Sequence, residues 1–297
     1  MRSVDVAILL GVILLWGGSI AVAKIGFAVF PPLLMMTLRF GLVAVLLAPF
    51  YRLPLKRLPD LLLLSVILGS LHFGAMFYGV QRVEAGTASL LTQVQVPFSA
   101  MLAAVFLNDR IGWRRAGGMA VAFAGVILIG GAPNLTDNLL HVGLILLASL
   151  SWAFGAFHVK RMAAPGKEAA NGQMLNCWIA VFATPQMLAL SLAFEDGQWE
   201  ALTAPDWRGW FAAAYMAIAV VIIGYGQWYR MLARYSLNQV MPIMLLVPMV
   251  GVAAGVVLLD EPVTWRVLIG GGLVIAGVAV ILIRRPRTTL PMPTATS

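Results

Sequence analysis

Long apolar stretches separated by short polar breaks run through nearly the whole chain. They fall at about 4–25, 32–50, 60–81, 86–107, 113–131, 141–160, 172–193, 207–230, 237–259 and 265–284, each long enough to cross a hydrocarbon core of about 30 Å as a helix. Backbone groups in lipid must be satisfied within their own segment, which favours helices, and the runs lack the alternation of a membrane barrel. The pattern predicts an all-α polytopic membrane protein with ten transmembrane helices. The opening Met1-Arg2-Ser3-Val4-Asp5 is read as the start of a retained first span rather than of a cleaved signal peptide.

Composition agrees with this pattern. Of 297 residues, 61% are hydrophobic and 11% charged, against about 25% charged in a soluble domain. The net charge of +8 could suggest a nucleic-acid partner, but its distribution points elsewhere. Numbering the spans in order, basic residues cluster between spans 2 and 3 (Arg52, Lys56, Arg57), 4 and 5 (Arg110, Arg114, Arg115), and 6 and 7 (Lys160, Arg161, Lys167). More follow at Arg230 and Arg234, and after span 10. The opposite side carries Lys24, Arg82, Arg208 and Arg266. The positive-inside rule then places both termini in the cytoplasm, with no nucleic acid required. The single cysteine, Cys177, precludes an internal disulfide.

The two halves echo one another. Trp16-Gly-Gly-Ser-Ile-Ala-Val-Ala-Lys24 and Trp152-Ala-Phe-Gly-Ala-Phe-His-Val-Lys160 both read W-x7-K. Leu107 to Arg114 matches Leu259 to Arg266, and Ala124-Gly125-Val126 matches Ala276-Gly277-Val278. Five spans per half is an odd number, so the second half must enter the membrane upside down, the plan of an inverted-repeat secondary transporter. The expected units are residues 1–132 and 133–285, each a five-helix repeat, then a disordered cytoplasmic tail over 286–297 that is rich in Thr and Pro.

Several blocks resemble EamA-domain permeases of the drug/metabolite transporter superfamily. In the first half these are Leu15-Trp16-Gly17-Gly18, Pro31-Pro32, Leu38-Arg39-Phe40, and Ala85 to Leu91 leading to Pro97 and Asn108-Asp109-Arg110. In the second they are Gly224-Tyr225-Gly226, Leu246-Val247-Pro248 and Leu259-Asp260-Glu261-Pro262. Within that superfamily the chain is similar to bacterial amino-acid exporters of the cysteine/O-acetylserine and aromatic types. The resemblance implies a bacterial inner-membrane protein shaped as a ten-helix basket. Spans 1, 3, 4, 6, 8 and 9 would line a central cavity, with spans 2, 5, 7 and 10 outside it.

Polar groups inside a membrane usually face a cavity or a partner. In span 4, Ser89, Thr92, Gln95 and Ser99 fall within about 120° of one another on a helical wheel, with Gln93 about 40° further round. This seam either lines a cavity or joins helices. His72 and Tyr78 in span 3, and His158 in span 6, are further candidates for substrate contact or structural hydrogen bonding. Tyr225 and Trp228 share a face of span 8, while Tyr229 and Arg230 read as an interfacial belt. Trp16, with Ser19 after it, and Trp152 are expected to close against substrate at opposite mouths of the cavity. Lys24 and Lys160 read as snorkelling anchors. Pro97 and Pro248 would kink spans 4 and 9 as hinges. Arg39, inside span 2, is assigned a structural role because the resemblance puts that span at the periphery.

The scattered histidines, His72, His141 and His158, suggest no metal site, and no cofactor is expected. No carboxylate falls mid-membrane, which weakens a cation-drug pump and leaves proton coupling without an evident relay. The expected function is alternating-access export of neutral amino acids and related metabolites. The competing reading is another solute class, an organic anion, sugar derivative or drug. A membrane enzyme would need a catalytic cluster that the sequence does not offer. Partners are a small-molecule substrate and lipid, and one chain supplies both halves, so a monomer suffices.

Overall fold

The computed structural model describes residues 2–107, 112–130, 133–162, 171–203, 206–235, 240 and 243–282. The expected tail and the Asn108-Asp109-Arg110 block lie outside the described residues. Among those residues there are helices and turns and no strand. Eight helices are long and apolar enough to cross a bilayer. They are α1 (Ser3–Phe27), α2 (Pro32–Phe50), α3 (Leu55–Val80), α4 (Ala85–Phe106), α6 (Leu139–Met162), α7 (Gly172–Phe194), α8 (Trp207–Leu232) and α10 (Trp265–Leu282). Two further helices lie between them: α5 (Trp113–Gly130), whose first turn carries two arginines, and the 14-residue apolar α9 (Leu246–Leu259). The chain is an all-helical polytopic membrane protein.

Local chemistry sets the helix ends. The Asn171 side chain accepts from the backbone N–H of Gln173 at 2.9 Å and starts α7. Asp206 accepts from Arg208 N–H at 2.9 Å and starts α8. Pro32 opens α2, whose free N–H groups at Leu33 and Leu34 donate to the Glu195 carboxylate at 2.7 and 3.0 Å. That carboxylate stands just after α7, so the end of one helix caps the start of the other.

Pro97 leaves a clear mark on α4. Proline offers no N–H to the carbonyl four residues back and crowds it. The helix accordingly passes through a 3₁₀ turn over Thr92–Val94 before resuming at Gln95. Pro248 instead occupies the first turn of α9, where its missing N–H has no helical partner to lose. Two longer irregularities are π-helical: Ser65–Gly74 within α3 and Tyr215–Tyr225 within α8. Such stretches are rare and frequently sit at functional sites.

Helix packing is dense where side chains are small. α5 crosses α10 with Gly118 facing the carbonyl of Gly277 and Gly125 facing that of Gly270. A Cβ at either glycine would meet backbone. α1 packs on α8 and α9, α6 on α3 and α4, and α4 on α9. Gly251 of α9 lies against Ser89 of α4, and Gly255 against the Gly86 backbone, so these two glycines, four residues apart, form a contact face. α2 packs along α7 and is buried continuously from Pro32 to Thr37. That burial does not fit a peripheral span 2.

Candidate functional site

A cavity of about 600 Å³ lies among α2, α3, α6, α7 and α8. Aromatic side chains make much of its wall: Phe40 and Phe73 on one side, Trp152, Tyr225, Trp228 and Tyr229 on others. It reaches the end of the bundle where Lys160, Gly172 and Leu232 stand. α2 and α7 contribute directly, α2 through Arg39, Phe40 and Val43. The implied arrangement, with spans 2 and 7 outside and spans 4 and 9 lining, is therefore replaced along this cavity. The burial of α2 against α7 accounts for the difference.

Arg39 is the buried charge of the wall, at 2% exposure, whereas Lys160 stands exposed at its edge. Its guanidinium lies 4.1 Å from the Phe73 ring centroid and 5.4 Å from that of Phe40. This is cation–π packing on both sides of one turn of α2 and the π segment of α3. One guanidinium nitrogen reaches Met36 Sδ at 3.7 Å, and Nε has no hydrogen-bond partner.

The tryptophans at the two ends of the repeat are held differently. Trp16 donates from Nε1 to the Val220 carbonyl at 3.2 Å, inside the π segment of α8. Its ring packs on Tyr225 at 4.8 Å and Trp228 at 5.7 Å. Gly224 leaves the space the indole fills, since a Cβ there would meet Trp16 Nε1. Trp16 thus forms the floor beneath the two aromatics. Trp152 is in the wall itself, with its ring 5.0 Å from His72. His72 binds the Ala148 carbonyl through Nδ1 at 2.8 Å and packs edge-on against Phe73 at 4.5 Å. A carbonyl only accepts, so Nδ1 carries the proton there. His72 therefore orients Trp152 and Phe73 from behind.

Beyond the Trp16 floor the bundle is closed by ions. Lys24 Nζ lies 2.9 Å from Glu261 Oε1 and donates to the Val83 carbonyl at 3.0 Å. Glu261 also accepts from the N–H of Ala85 at 2.7 Å and Gly86 at 3.2 Å, capping α4. Lys24 is therefore an ion-pair partner rather than a snorkelling anchor. Lys160, its counterpart, borders the cavity and makes no ion pair among the described residues.

Other sequence candidates sit elsewhere. Ser19 donates to the Trp16 carbonyl, one turn back in α1. Thr92 and Ser99 donate to the carbonyls of Ser89 and Gln95, and Ser89 packs against Gly251. The span-4 seam, with Gln93 and Gln95 on it, belongs to helix contacts rather than to this cavity's lining. Tyr78 stacks on His141 near the other end of α3. His158 pairs with Asp60 at 2.9 Å, joining α6 to the start of α3. Among described residues no group of acids, histidines or cysteines could hold a metal ion.

Several wall residues are not among the sequence candidates, the most polar of them being Arg39, read as structural, Tyr229, read as part of the belt, and Asn176 within span 7. Tyr229 falls one turn after Tyr225, a spacing that puts both on one face and could have flagged it.

Comparison with known proteins bears on all of this. The model of the EamA-like transporter family matches residues 4–131 and again 139–283. A Salmonella typhimurium protein named "Probable amino-acid metabolite efflux pump" is 32% identical over 271 residues, 90% of each chain. Its Escherichia coli namesake is 31% identical over 288 residues, covering 93% of this chain and 94% of that one. A Streptantibioticus cattleyicolor protein named "Probable terminal-alkyne amino-acid exporter" is 32% identical over 207 residues, 69% of this chain and 66% of that one. A solved crystal structure superposes with a TM-score of 0.61 at 19% identity, covering 94% of this chain and 96% of the other.

Proposed function

Because the chain belongs to the EamA-like transporter family, we propose that it exports neutral amino acids and related metabolites from the cytoplasm across the bacterial inner membrane by alternating access. It is a multi-pass membrane transporter and not an enzyme. The observation that carries the substrate class is the cavity: about 600 Å³, walled by aromatic rings, with two cationic groups, Arg39 within it and Lys160 at its edge, and no carboxylate among its lining residues. Such a wall suits a small solute with an apolar side chain and an anionic end. The names of the relatives point the same way.

The alternating-access proposal is supported by the pairing of the halves. α1 meets α8 and α9 as α6 meets α3 and α4, while α2–α7 and α5–α10 join corresponding helices. The π segments fall at corresponding places, in α3 and α8. With ten crossings and cytoplasmic termini, Lys24 and Glu261 stand at the outer face and Lys160 at the inner one. The structure is then the inward-open state, with Trp16 and the Lys24–Glu261 pair as its outer closure. Counterflow in proteoliposomes, across amino acids, sugars, nucleosides and cationic dyes, tests the reading. Exchange of at least one neutral amino acid is expected, and no exchange of any amino acid would sink it.

A further inference from the structure

We propose that Arg39 is the carboxylate dock of the cavity: the guanidinium on α2 receives the anionic end of the solute while the aromatic wall receives the rest. The inference deepens the amino-acid export reading and rests on it. Four observations carry it. Arg39 is almost fully buried, yet it lines the cavity. Its Nε has no hydrogen-bond partner, so a donor stands unused in a site where unused donors are costly. Among the described residues it makes no ion pair, and the titratable groups within its electrostatic reach are Tyr225 and His72, neither of which supplies an anion. Finally, its plane is held by Phe73 at 4.1 Å and Phe40 at 5.4 Å, which removes most of the freedom a long side chain would otherwise lose on binding.

A buried, unpaired cation is unfavourable until an anion joins it. Here the protein provides none and the cavity opens beside it, so the anion is the cargo. Guanidinium suits this purpose because its fork of donors matches both oxygens of a carboxylate. Aromatic packing holds the fork without consuming its donors. The ring faces of Trp152, Tyr225 and Trp228 are suited to the apolar side chain and to the ammonium. Selection would then act on the acid function, and an amide or amine of the same skeleton would be carried less well.

The test uses the full chain in proteoliposomes. The amino acid carried best in counterflow is compared with its carboxamide, in wild type, Arg39→Gln, Arg39→Lys and Phe73→Leu. Wild type is expected to favour the acid, and Arg39→Gln to raise KM for the acid about tenfold to a hundredfold while leaving the amide unchanged. Arg39→Lys, which keeps the charge and loses the fork, should recover part of the preference. Phe73→Leu removes the aromatic shelf and keeps the cation, so the preference for acid over amide should persist. If Arg39→Gln keeps the acid preference, or lowers acid and amide alike as a structural lesion would, the dock is wrong and the export reading survives. If wild type carries no amino acid, the export reading falls. The dock is then read on benzoate, 3-phenylpropionate and lactate against their amides. Carriage of a carboxylate that Arg39→Gln abolishes sustains it, and carriage of none overturns it.

Discussion

The two W-x7-K stretches share a pattern and differ in everything around it. At the Trp16–Lys24 end, the indole is hydrogen-bonded to α8 and stacked on two aromatic rings. Its lysine is locked to Glu261, which in turn caps α4. At the Trp152–Lys160 end, the indole makes no hydrogen bond among the described residues and faces open volume, and the lysine stands at the cavity edge. One copy is a closure and the other a wall. A local motif fixes where two side chains stand relative to each other along a helix, while the helices opposite decide what they do.

The largest test of this contrast truncates both tryptophans. Trp16→Ala should empty a packed, hydrogen-bonded site and destabilise the protein by about 3–5 kcal/mol, read by thermal unfolding in detergent. Trp152→Ala should cost much less stability and still reduce counterflow severely, because its ring borders the cavity. If both variants transport like wild type, neither tryptophan is a gate. Next comes Glu261→Gln, which leaves Lys24 without its counter-charge. A loss of about 2 kcal/mol is expected, together with faster labelling by a membrane-impermeant thiol reagent of a cysteine placed at Ser19.

A smaller effect is expected at Gly224, where alanine must push the Trp16 indole aside, at about 1–3 kcal/mol. An unchanged melting temperature would show that the floor is looser than the packing implies. The smallest is Lys160→Gln, expected to lie within about 0.5 kcal/mol of wild type. A loss there as large as that of Glu261→Gln would erase the contrast between the two ends.

Much of this was legible in the sequence. Apolar run length foretold the helices, and Ala124-Gly125-Val126 and Ala276-Gly277-Val278, which stood out as an echo between the halves, prove to lie in α5 and α10 at their close crossing. The Lys24–Glu261 pair was not legible, because its members are 237 residues apart and each looks ordinary where it stands, Lys24 in the last turn of α1 and Glu261 just after α9. The span-4 seam was legible only as two alternatives, cavity lining or helix contact, for a different reason. Thr92 and Ser99 satisfy their hydroxyls on their own helix, so a polar stripe need not face a polar space. The π segments, Ser65–Gly74 and Tyr215–Tyr225, carry no periodicity that marks them in the sequence. Arg39 was visible as an intramembrane charge, but the resemblance put its helix on the outside, and only the packing of α2 against α7 brings it to the cavity.

The crossing of α5 and α10 has a consequence of its own. Gly118, Gly125, Gly270 and Gly277 put backbone against backbone, with short branched side chains such as Ile129 and Val274 packed around the contact. Contacts made by rotamers have several solutions, and contacts made by peptide planes have very few. The two helices come from different halves of the chain, so this seam gives both halves a common, fixed axle. Spin labels placed across it should hold one distance through the whole transport cycle, which makes the seam the natural ruler against which motion of the cavity walls is measured.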